Sequence, residues 1–109
     1  MIARRWAATI RTQDRDAYTD YVKRTGVGDY RATEGNLGFQ MLLRDLGDGR
    51  TEVVTISWWS SVEAIRAFAG EDHHRARYYP EDDRYLLAKP KTVEHSEVVI
   101  EGLGLRRRS

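Results

Sequence analysis

Cysteine is absent from the 109 residues, which excludes disulfides, thiolate catalysis and cysteine metal sites together. Proline occurs only twice, as Pro80 and Pro90. Long apolar runs are missing too. The opening MIARRWAATI carries two arginines and no stretch of signal-peptide length, so a cytoplasmic location is expected and no membrane partner. Charge of one sign is also lacking. The formal net charge is +1, and Arg106, Arg107 and Arg108 leave fifteen basic against seventeen acidic residues in the rest of the chain. No basic face speaks for nucleic acid. A P-loop, a dinucleotide fingerprint and a serine elbow are missing as well, which sets aside ATP, NAD and serine-hydrolase chemistry.

What is present is a globular composition, with 40% hydrophobic and 32% charged residues, outside the range of disordered chains. The length fits one domain, expected over residues 1–102 with a basic tail over 103–109. A core this small is readily shared with a second copy.

The organising stretch is TEVVTISWWSSVEAIRAFAG, residues 51–70. Its first half is rich in β-branched and aromatic residues and reads as a central strand. Ser60 or Ser61 then offers a hydroxyl to the free N–H groups of a helix's first turn, and Glu63 suits the helix dipole. Val62, Ile65, Phe68 and Ala69 give that helix an apolar face, and Gly70 supplies its stop.

Around it, Ile2 to Ile10 alternates as a strand, with Ile2, Arg4, Trp6, Ala8 and Ile10 on one side. From Asp14 the spacing of Ala17, Tyr18, Tyr21, Val22 and Thr25 is helical, and Val27 to Thr33 reads as a bent continuation. Leu37 to Leu46 is a strand with Leu37, Phe39, Met41 and Leu43 on one face. Gly47-Asp48-Gly49 joins it to the central strand as a hairpin. Residues 71–90 read as a lid-like excursion, with Pro80 opening a short helix through Leu87, and Thr92 to Glu101 as the closing strand.

The order is β-α-β-β-α-β, which connection rules fold into an α+β, ferredoxin-like four-stranded antiparallel sheet with helices on one face. Trp58 and Trp59 are out of phase and must point to opposite faces. A sheet face left bare with a tryptophan on it is normally hidden, so a homodimer is expected.

The run W-x-S-x-E-A-I-x-A-F-A-G from the tryptophan pair into the helix, the turn-rich hairpin before it and the closing VEHSEV resemble the antibiotic biosynthesis monooxygenase domains of the dimeric α+β barrel superfamily. The resemblance spans Ile2 to about Val99. It implies the fold and the dimer first, and then a cofactor-independent monooxygenase acting on a small phenol or hydroquinone. The alternatives on the same fold are a non-oxidative isomerase, lyase or cyclase, and a non-catalytic dimer that binds a small aromatic or apolar molecule. The haem-degrading branch is a poorer match: it carries a Trp at Phe68, an iron-ligating His at Tyr78 and an Asn at Trp6.

Cofactor-free oxygenation needs a base near neutral pKa and hydrogen-bond donors to a phenolate. His95 or His74 is the candidate base, and Tyr78, Trp6 and Arg4 are candidate donors. The plainer reading of His95 is a strand histidine hydrogen-bonded in or near the dimer seam. His73 and His74 would point about 100° apart on a helix, a poor arrangement for one ion, so no metal is expected and surface or lid roles are the alternative. Trp6, Phe39, Met41, Trp58, Phe68 and Tyr85 are the expected pocket lining, with Tyr18, Tyr21 and Tyr30 adding hydroxyls. A set so spaced can equally be core.

Overall fold

In the computed structural model, which describes residues 1–103, the sheet is built on the strand pair read from the sequence. Strand β1 (Ile2–Arg11) is followed by helices α1 (Arg15–Arg24) and α2 (Gly26–Ala32), then β2 (Asn36–Asp45) and β3 (Arg50–Trp59). Helix α3 (Val62–Ala69) comes next, and two short strands, β4 (Leu86–Ala88) and β5 (Glu94–Glu97), close the fold. All neighbours are antiparallel in the order β2-β3-β1-β4, with β5 also on β1. This is the ferredoxin-like α+β arrangement, with the last strand position divided in two.

That division replaces the expected continuous strand over 92–101. β4 pairs with Thr9 and Ile10, and β5 with Ile2 to Arg5. Pro90 falls between them, where a missing N–H and a fixed φ do not suit a continuous ladder. The short helix expected from Pro80 to Leu87 is a single 3-10 turn, Asp82–Arg84, running into β4. In the expected tail only Leu103 is described, and the arginine triplet lies outside the described residues.

The hinge from β3 into α3 follows its local chemistry. The Ser61 side chain accepts from the Ala64 N–H at 3.1 Å, and Gly70, at φ 99°, ends the helix with its N–H on the Arg66 carbonyl. Gly35, at φ 91°, lies so close to this corner that a Cβ would come within 2.5 Å of the Ala64 Cβ. Only glycine lets β2 start there.

The helix-facing side of the sheet carries two buried clusters. Ile10, Tyr18, Tyr21, Val53 and Tyr85 form one; Trp59, Ile65 and Phe68 form the other, with Tyr30 packed against it. Between them, Arg4, Trp6, Thr55 and Ser57 share that face, because Arg4 is in register with Ser57 and Trp6 with Thr55. The opposite face carries Val54, Ile56, half-buried Trp58 and Leu42, the last 47% exposed. Leu37, expected on the inner face with Phe39, is 58% exposed, because the ladder slips between Asn36 and Gly38.

Candidate active site

The gap between the two clusters is a cavity of about 80 Å³, open on one side. Arg4 and Trp6 from β1, Thr55 and Ser57 from β3, and Phe68 from α3 form its floor and one end. Tyr18 and Tyr21 from α1 and Asp82 from the 3-10 turn form the other. Tyr30, Arg77, Tyr78 and Tyr79 also line it.

Arg4 is the dominant electrostatic feature. It is only 4% exposed, yet all its hydrogen-bond partners among the described residues are uncharged. Its Nη1 donates to the His73 carbonyl at 2.6 Å and to His95 Nε2 at 3.1 Å, and its Nη2 to the Arg75 carbonyl at 3.0 Å. Burial holds the guanidinium below its ordinary pKa, but arginine keeps its proton in proteins. The result is a buried positive charge, with its Nε–H unbonded among the described residues, on the wall of an aromatic cavity.

His95 lies opposite Arg4 in the ladder and therefore on the inner face. An arginine can only donate, so His95 Nε2 accepts and the neutral ring carries its proton on Nδ1, which is buried without a partner. Burial, then the Arg4 charge and the other two imidazoles, pull its pKa down to about 4. His95 touches the cavity only through Arg4, and neither His73 nor His74 lines it.

All three histidines of the chain nevertheless converge. Residues 73 and 74 lie in a turn, not on the helix that the 100° argument assumed, and backbone bonds fasten that turn to the segment leading into β5, with Val93 donating to the His74 carbonyl at 2.8 Å. One donor atom from each imidazole lies within 4.8 Å of the others. Three imidazoles so placed have ligand potential. The Arg4 guanidinium, hydrogen-bonded into the group, puts a fixed positive charge where it opposes a divalent ion.

Tyr78 and Trp6 line the cavity as a bonded pair. Trp6 Nε1 donates to the Tyr78 hydroxyl at 3.0 Å, and that hydroxyl donates to the Pro90 carbonyl. The Tyr78 proton is thus engaged, and burial raises its pKa. Phe68 lies under two cations, with Arg77 Cζ 4.8 Å and Arg4 Cζ 5.9 Å from its ring centroid.

Four residues expected in the lining lie elsewhere. Phe39 is shielded by Tyr30, which stacks between it and Phe68 at 4.9 and 4.8 Å. Met41 packs on the tyrosine cluster, and Tyr85 backs that cluster 5.6 and 5.3 Å from the Tyr18 and Tyr21 rings. Trp58 is on the other face, in a groove with Leu37, Gly38, Phe39, Gln40 and Leu103. Conversely, Asp82, Thr55 and Ser57 line the cavity with no sequence signal that marks them for it. Asp82 sits in a polar run after Pro80, where an aspartate signals a turn. It does serve one, accepting from the Tyr79 N–H at 2.6 Å, but it is also buried against the cavity.

The profile of the antibiotic biosynthesis monooxygenases matches residues 1–77, which contain β1 to α3 and Arg77 of the cavity wall. The chain belongs to the antibiotic biosynthesis monooxygenase family. Solved structures agree at the level of fold. A Nitrosomonas europaea protein assigned to this family aligns over 92% of this chain and 100% of its own, at 17% identity and TM-score 0.64. A variant of the haem degrader MhuD with two manganese protoporphyrin IX groups per active site covers 95% of this chain and 100% of its own, at 22% identity and TM-score 0.57. MhuD from Mycobacterium tuberculosis with two haems covers 94% and 99%, at 24% identity and TM-score 0.50. No curated protein sequence matches.

A porphyrin does not fit this family member's cavity as it stands. Drug-sized ligands take roughly 300–1,000 Å³, against about 80 Å³ here. The Tyr78 hydroxyl is bonded on both sides, to the Trp6 indole and the Pro90 carbonyl. Among the described residues no helix is long and apolar enough to cross a membrane.

Proposed function

We propose that this chain is a cofactor-independent monooxygenase that binds a small phenol or hydroquinone as its anion and lets it react with O₂. The observation that carries the reading is Arg4, a buried cation with no carboxylate partner among the described residues, on the wall of an aromatic cavity. An unpaired buried charge is costly, and a bound phenolate relieves it. The same interaction lowers the barrier, because a phenolate gives up an electron to O₂ more readily than a phenol does, and the charge is held in a preorganised, water-poor site.

The overall change balances simply. One oxygen atom of O₂ replaces hydrogen on a ring carbon, and the other leaves as water with the ring hydrogen and the hydroxyl proton. The organic product is a quinone. In this reading His95 acts through Arg4, fixing the guanidinium with a neutral ring, and Tyr78 acts through Trp6, holding the indole against the cavity. His74 is exposed, and its part is confined to the turn that meets Arg4.

The assembly we propose is a two-fold dimer through the open sheet face, where Trp58, Ile56, Val54 and Leu42 lie together. Sedimentation of wild type and Trp58→Glu tests it: the dimer should dissociate in the variant, and a monomeric wild type refutes it.

Oxygen uptake with a panel of single-ring phenols and hydroquinones tests the activity. At least one should be consumed faster than in buffer, with Arg4→Met losing most of that rate. Uptake at the buffer rate for every compound, or uptake unchanged in Arg4→Met, contradicts the reading.

A further inference from the structure

The end of the cavity away from Arg4 carries polar groups that the oxygenation scheme leaves unused. Tyr21 is 3% exposed and its hydroxyl forms no hydrogen bond among the described residues. Asp82 is 6% exposed; its one side-chain hydrogen bond among the described residues comes from the Tyr79 N–H, and no cation pairs with it there. Both line the cavity. The Tyr21 hydroxyl keeps its proton, since burial, and then the Asp82 carboxylate as a nearby acceptor and a charge, raise its pKa. One donor and one carboxylate acceptor therefore stand side by side on the cavity wall, near enough to act on each other but with no hydrogen bond formed between them.

We infer that Tyr21 and Asp82 form a hydroxyl-recognition subsite, so that the preferred ligand is an aromatic ring with an anionic oxygen at one end and a neutral hydroxyl at the other. A hydroxyl is the group that satisfies both partners, accepting from Tyr21 and donating to Asp82. An anionic group at this end would meet the carboxylate, and an apolar one would leave the Tyr21 hydroxyl without a ligand partner. Polarity thus fixes ligand direction: Arg4 takes the anion and Asp82 the proton donor. This rests on the Arg4 reading for the first end, but its readout is binding and needs no turnover.

The test compares 4-hydroxybenzoate with 4-methylbenzoate, which has the same carboxylate for Arg4 and a methyl in place of the hydroxyl. Titration calorimetry on wild type should show the hydroxyl compound binding more tightly by on the order of 10-fold or more. In Tyr21→Phe the ratio should fall several-fold while 4-methylbenzoate binds as before, and Asp82→Asn should act in the same direction. Asp82 also holds the Tyr79 N–H, so thermal melts accompany that variant, and Tyr21→Phe decides if it fails to fold. Equal affinities in wild type, no binding of either probe, or a ratio that survives Tyr21→Phe overturns the inference. If the ratio behaves as expected and no phenol consumes oxygen, the subsite stands and the monooxygenase reading alone fails.

Discussion

At the Trp59 end of the inner core, the one polar atom brought inside by the tryptophan is spoken for: the indole N–H donates to Ser57 Oγ at 2.9 Å, and Phe68 packs 5.2 Å away. At the Tyr21 end, three aromatic rings pack at similar distances, yet the Tyr21 hydroxyl is left without a partner. Both ends bury aromatic surface against the same sheet. They differ in whether the polar atom that comes with the buried ring is used up, and that separates the Trp59 indole, closed by its own neighbour, from the Tyr21 hydroxyl.

Stability measurements can break or sharpen this contrast. The largest effect belongs to Trp59→Ala, which removes a fully buried ring and should cost about 3–5 kcal/mol by denaturant unfolding. A loss under about 1 kcal/mol would mean that this end is not the close-packed one.

A middle-sized effect belongs to pH. The His95 pKa is pulled to about 4 in the folded protein, against about 6.5 in an unfolded chain. Between those values the unfolded state binds the extra proton, so stability should fall as pH drops from 6.5 towards 4 and level off below. Unfolding curves over that window should be steeper in wild type than in His95→Gln. Equal slopes would show that the imidazole is not held neutral beside Arg4.

The smallest effect is the most telling. Tyr21→Phe removes a buried hydroxyl that forms no hydrogen bond among the described residues, so it should cost no stability and leave it unchanged or slightly raised. A cost of about 1–3 kcal/mol would place that hydroxyl in the structural class with the Trp59 indole.

The two ends were also unequally legible in the sequence. The Trp59 end is written in one contiguous run, in which strand period, serine cap, helix spacing and glycine stop agree, and each feature is found in place. The phase argument likewise put Arg4 with Trp6 and separated the two tryptophans. The cavity is made by residues far apart in the chain, and local patterns carry no record of that. His95 was recognised as a candidate, but its placement against Arg4 depends on a register that no periodicity sets. Asp82 escaped because a turn aspartate and a buried cavity carboxylate look alike in a polar run. Phe39 and Tyr85 were misplaced for a related reason: facing the core does not settle whether a ring lines a gap or lies behind another ring.

The central claim is that Arg4 gives the cavity its preference for an aromatic anion, and a bound chromophoric phenol reads this directly. Titration of 4-nitrophenol with excess protein, followed by the visible absorption of its phenolate, should show the bound probe ionising at lower pH than the free probe, with the shift lost in Arg4→Met. A bound probe that ionises at the same or a higher pH than in buffer would contradict the account.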